Sequence, residues 1–155
     1  MKNLITALLF TLFAATAFGQ TELDKKLFQA VSDGDSARVE KYLKEGADPN
    51  VQKGVGFLKM SQLIIAVQKK HVKIVKLLVD NKADVNFKDA FKTTSLMYAA
   101  HSGNLEIATY LITHGADINA NDEQGNSVLS AAKESKNPEM ITLIESSINK
   151  KVSDK

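Results

Sequence analysis

The sequence predicts an all-α repeat solenoid of about four helix–turn–helix units, and three observations predict it. One phrase recurs, as GADPN from Gly46, KADVN from Lys82 and GADIN from Gly115, at spacings of 36 and then 33 residues. The segments that begin at Ser61, Thr94 and Ser127 share one grammar: a small polar residue, Leu two positions on, Ala five positions on, then a second apolar stretch. Finally, Leu63, Ala66 and Val67, and likewise Leu96, Ala99 and Ala100, are apolar at helical spacing, with small residues where neighbouring helices must approach closely. A single unit cannot bury such a face alone, so the copies are expected to stack into one continuous core.

Residues 1–19 are set apart from the fold. Lys2 precedes an apolar run from Leu4 to Ala15, followed by small residues at Ala15, Ala17 and Gly19 that suit a signal peptidase. Cleavage is expected between Gly19 and Gln20, with Ala17|Phe18 as the second choice. The run is shorter than the roughly 20 residues that span a bilayer, so no stable membrane insertion is expected after cleavage. The chain has no Cys, hence no lipid-anchor site and no disulfide. Without Lys2 it carries 19 basic against 18 acidic residues, a balance that suggests neither a nucleic-acid binder nor a polybasic membrane binder. No N-x-[ST] site occurs, which fits a bacterial periplasm better than a eukaryotic secretory route.

Within each unit a short helix, a tight turn and a longer helix are expected, with the turns at Gly34, Lys70, Gly103 and Lys136. The segment from Leu27 is a copy at the front. Gly46 and Gly115 follow the second helix of their units, where a left-handed residue commonly ends a helix. Lys82 stands at the same place and should cost about 1 kcal/mol relative to Gly, because a Cβ is disfavoured there. The second repeat is therefore expected to be the less stable joint. Polar outer faces suit the two ends: Lys25, Lys26, Arg38, Lys41 and Lys44 in the first unit, and in the last no G-A-D-x-N and a tail expected to fray beyond Ile148.

This pattern resembles the ankyrin repeat, whose unit contains T-P-L-H-x-A-A, then G-H-x-E-I-V, then G-A-D-V-N. The resemblance covers Leu23 to about Ile148 and implies an ankyrin-repeat domain over 20–148, with repeats at about 23–52, 53–88, 89–121 and 122–148 and a polar tail at 149–155. Gln62-Leu63-Ile64, Ser95-Leu96-Met97 and Val128-Leu129-Ser130 replace the family's Pro-Leu-His. Its usual Thr to His hydrogen bonds are therefore not expected, and packing by Ile64 and Met97 is expected in their place.

The resemblance also implies a β-hairpin finger between each G-A-D-x-N and the next first helix. The first finger, NVQKGVGFLKM, is three residues longer than the register requires and carries Phe57 and Leu58; the second, NFKDAFKT, carries Phe87 and Phe91; the third, NANDEQGN, is wholly polar. Apolar side chains on adjacent exposed fingers suggest a binding patch. The alternative is that Phe57, Leu58 and Phe87 fold back to steady an elongated loop. The family's partner-facing surface would include Phe57, Leu58, Ala90, Phe91 and Thr93; Glu123, Gln124 and Asn126 on the third finger; and the first-helix ends Gln68, Lys69, His101, Ser102, Glu134 and Ser135. Tyr98 is expected to lie partly buried beneath this groove.

Catalytic chemistry is not legible. His71 and His114 fall on near-equivalent turn positions of different repeats, and with His101 they read as surface residues rather than ligands. The stretch from Asn119 has a superficial likeness to a calcium loop, but Gln124 stands where that motif needs Gly. No nucleophile motif, phosphate loop or paired carboxylates appear, so no enzyme activity, cofactor or metal is expected. The expected function is a monomeric scaffold or adaptor acting on another exported or periplasmic protein. A glycan- or peptide-binding module of the cell envelope is the alternative, disfavoured by the absence of Trp.

Overall fold

A computed structural model describes residues 22–55 and 58–153. The expected signal peptide, Gln20 and Phe57 lie outside them. Four helix pairs follow one another: α1 (22–33) with α2 (Ser36–Lys44), α3 (Gln62–Gln68) with α4 (Val72–Asp80), α5 (Ser95–His101) with α6 (Leu105–Thr113), and α7 (Val128–Glu134) with α8 (Pro138–Ser153). The one two-stranded sheet among the described residues pairs β1 (Gln52–Val55) with β2 (Leu58–Ser61) antiparallel, Gln52 opposite Ser61 and Val55 opposite Leu58.

The pairs stack in two rows. The first helices meet as α3 on α5 and α5 on α7, the second helices as α2 on α4, α4 on α6 and α6 on α8. The core runs unbroken from Leu27 and Val31 through Leu63, Leu78, Leu96 and Leu111 to Met140 and Ile144, all essentially without exposed surface. Ala66, Ala99 and Ala132 are fully buried at the matching position of successive first helices, where a larger side chain would hold the row apart.

The caps explain why each first helix starts where it does. Ser61, Thr94 and Ser127 have extended backbones, and their hydroxyl oxygens accept from the backbone N–H of Ile64, Met97 and Ser130 at 3.2, 3.3 and 3.1 Å. Ile64 and Met97 are themselves buried, so the expected packing is present, and this main-chain bond, which was not expected, stands beside it. The cap needs only a main-chain donor, which any residue at the third position supplies.

The turns between paired helices are left-handed at Gly34 (φ 76°), Lys70 (59°), Gly103 (66°) and Lys136 (54°), and the second helices end at Gly46 (93°), Lys82 (71°) and Gly115 (87°). Gly34 has a second constraint: a Cβ there would lie 2.7 Å from the His71 ring of the next unit. Across the stack the Asn that ends each of the first two recurring phrases ties one unit to the next. Asn50 donates to the Lys82 carbonyl at 3.0 Å and accepts from Asp84 N–H at 2.7 Å, and Asn86 does the same with Gly115 and Asp117.

The second unit departs from the others. Lysine occupies its left-handed positions at 70 and 82, and α4 begins at His71 with no side-chain cap, whereas Asp35 and Asn104 cap α2 and α6. Lys82→Gly is accordingly expected to raise stability by up to about 1 kcal/mol, read as a higher denaturant midpoint at unchanged slope. The last unit also differs from expectation, since α8 continues to Ser153, past Ile148 where fraying was expected. The first helix, α1, is longer than α3, α5 or α7.

Candidate functional site

The fingers leave the stack just before the first-helix caps. The first is the β1–β2 hairpin; its outer positions Gln52, Lys53, Gly54 and Lys59 are exposed. Leu58 opens β2, its backbone paired with Val55. The second and third fingers are shorter, each closed by one antiparallel bridge, Lys88 with Thr94 and Asn121 with Ser127.

An aspartate builds each short finger from inside. Asp89, nearly buried, accepts from the N–H of Phe91 and of Thr93 through Oδ1, each at 2.9 Å, and from the Tyr98 hydroxyl through Oδ2 at 2.8 Å. Burial, and then the bond to Asp89, push the Tyr98 phenol up to about 12. One repeat on, Asp122 accepts from Gln124 N–H at 2.9 Å and from Asn126 N–H and Nδ2 at 2.8 and 2.9 Å. These bonds, the Asn126 side chain first, hold the Asp122 carboxyl below the usual range. The stretch that superficially looked like a calcium loop is thus a turn whose acid is engaged by its own backbone. Neither aspartate was singled out in sequence, although their 33-residue spacing carried the signal.

Phe91 stands on the finger that Asp89 holds. It is 59% exposed, the one large apolar side chain so exposed among the described residues, while Phe87 on the same finger is half-buried. The Phe91 carbonyl accepts from Glu123 N–H at 2.9 Å, which fixes the second finger against the third. Ala90 is half-buried in the same turn, and Glu123, Gln124 and Asn126 are exposed.

The first-helix ends divide into two kinds. Gln68, Lys69, His101 and Glu134 are exposed, and His101 Nδ1 lies 3.0 Å from Glu134 across the α5–α7 contact. Ser102 and Ser135 turn inward, their hydroxyls donating to the carbonyls of Ala99 and Ala132 at 3.1 and 2.6 Å, so they serve helix ends more than a partner. Thr93, Tyr98, His101, Asp122, Asn126 and Glu134 line an open cleft of about 220 Å³, floored by Met97 and Ala131. Four of the expected partner-facing residues, Thr93, His101, Asn126 and Glu134, therefore meet at one place.

The histidines do not converge. His71 precedes α4 in the turn between paired helices, whereas His114 ends α6 with its ring stacked on Tyr110 at 4.1 Å. They were expected at near-equivalent turns; the counterpart of His71 is Asn104, and that of His114 is Asn81. Among the described residues no group of three or more His, Cys, Asp or Glu is placed to hold a metal ion, and no helix is long and apolar enough to cross a membrane.

No curated protein matches the chain. A family profile described as "Ankyrin repeats (3 copies)" matches residues 27–122 and 63–154. Those two spans together run from within α1 through the last helix pair and take in the left-handed turns and the Asn ties between units, and the chain belongs to the ankyrin-repeat family.

Proposed function

We propose that this chain is a non-catalytic scaffold that holds another exported protein against its second and third fingers and the first-helix ends beside them. Ankyrin repeats generally mediate protein–protein interaction and are typically non-catalytic. The observation that carries the reading to this surface is Phe91, an exposed aromatic on a finger whose backbone is held by a nearly buried carboxylate. Folding does not require it there. An aromatic anchor on a rigid frame gives up little conformational freedom on binding, as hot-spot residues do.

Export rests on the charged, apolar and small-residue order of residues 1–19. The working location is the periplasm, with Gln20 as the first residue of the mature chain. Affinity purification from the periplasmic fraction, followed by mass spectrometry, tests both parts. The mature protein should begin at Gln20 and carry one stoichiometric protein partner, and the same purification with Phe91→Ala should lose that partner. Recovery of the uncleaved chain would remove the export reading; a partner retained by Phe91→Ala would remove the finger site.

A further inference from the structure

The cleft between the second and third fingers combines an apolar floor with acidic walls. Met97 and Ala131, which floor it, are buried. Two carboxylates line it, Asp122 from the third finger and Glu134 from the end of α7, opposite Thr93, Tyr98 and His101 from the second finger and α5. Among the described residues no lysine or arginine belongs to the lining. Lys92, next to Phe91, and Lys133, next to Glu134, are exposed and lie outside it. Across residues 93–135 five carboxylates stand against Lys133 alone, so the surroundings are acidic as well. The exposed Phe91 belongs to the rim: it is two residues from Thr93, and its carbonyl is held by Glu123, the neighbour of Asp122.

The polar groups of the cleft are arranged to accept. The Tyr98 hydroxyl gives its hydrogen to Asp89, so towards the cleft its oxygen can only accept. Asp122 is held ionised by the turn it closes. Glu134 meets His101 Nδ1 at 3.0 Å, and both side chains are more than half exposed, a kind of pair that adds little to stability. A carboxylate has about four lone-pair sites, and this contact occupies one of them. The cleft holds about 220 Å³, less than the roughly 300–1,000 Å³ of pockets that take cofactors or drug-sized ligands. One long side chain suits that volume.

Resting on the scaffold reading above, we infer that the partner protein inserts one cationic side chain, an arginine or a lysine, into this cleft while an apolar part of its surface covers Phe91. The methylenes of such a side chain pack on Met97 and Ala131, and its head lies between Glu134 and Asp122. Arginine suits the cleft better than lysine, because its planar fork of five donors can serve two carboxylates at once and is the more weakly hydrated of the two. A purely apolar side chain would cover both carboxylates and leave their charge unpaired. A phosphate, a nucleic-acid strand or an acidic peptide would meet two like charges with no lysine or arginine in the lining to offset them.

The test titrates the mature chain, labelled with nitrogen-15, with the synthetic peptide Gly-Leu-Arg-Leu-Gly and with the same peptide carrying lysine, citrulline or glutamate at its centre. The arginine peptide should shift the backbone amide signals of Tyr98, His101 and Glu134, the lysine peptide should do so more weakly, and the neutral citrulline and anionic glutamate peptides should not. Glu134→Gln should weaken the arginine peptide about tenfold and leave the melting temperature unchanged, which a merely structural glutamate would not do. Equal binding of the citrulline or glutamate peptide, or an arginine peptide indifferent to Glu134→Gln, overturns the inference. So does a co-purified partner lost by Phe91→Ala but held as tightly by Glu134→Gln as by the unsubstituted chain, and that result leaves the scaffold reading standing. Absence of any partner together with no peptide binding overturns both.

Discussion

Leu96→Ala is expected to lower the free energy of unfolding by about 2–5 kcal/mol. Leu96 has no exposed surface and sits on α5, which packs against α3, α6 and α7. Leu63 on α3 and Ala132 on α7 are buried in the same core, on helices that pack on either side of α5, so the cavity cannot close by moving one element. The loss should be read by urea unfolding monitored by circular dichroism. Because each unit contacts only its neighbours, the variant is also expected to broaden the transition as the third unit uncouples from the rest. A midpoint within experimental scatter of the unsubstituted protein would mean that the stack does not pack through this residue.

Asp89→Ala is expected to cost about 2–4 kcal/mol, unusual for a residue on a finger. Its carboxylate serves the N–H groups of Phe91 and Thr93 and the Tyr98 hydroxyl, and removing it leaves three donors without their acceptor in a nearly buried place. Asp89→Asn keeps one carbonyl acceptor and should lose less than half as much. Both substitutions should weaken partner binding, since Phe91 depends on this turn for its position. Asp122→Ala should cost less, because Gln124 and Asn126 are exposed and water can take over their bonds.

The architecture was legible because repetition reports directly on packing. A phrase that recurs at 33 residues fixes which side chains share a row, and the left-handed turns at Gly34, Lys70, Gly103 and Lys136 lie where the alignment puts them even when the residue is lysine. The cap at Ser61, Thr94 and Ser127 is not legible from the side chain three positions on, because the donor there is main chain. His71 and His114 look alike in sequence, but one begins a helix and the other ends one. The exposure of Phe91 follows from a finger that cannot reach the core. That Asp89 ties this finger to Tyr98, nine residues on, depends on a side-chain rotamer and a closed turn, which no linear pattern records.

On the proposed division of roles, the stack supplies stability and the fingers supply binding. Measuring the melting temperature of Phe91→Ala beside its affinity for the co-purified partner by calorimetry tests this most directly. The melting temperature should stay close to that of the unsubstituted protein, and the affinity should be about 30-fold weaker, corresponding to about 2 kcal/mol. A melting temperature lowered as far as that of Leu96→Ala, with affinity unchanged, would make Phe91 a part of the core and not a binding residue.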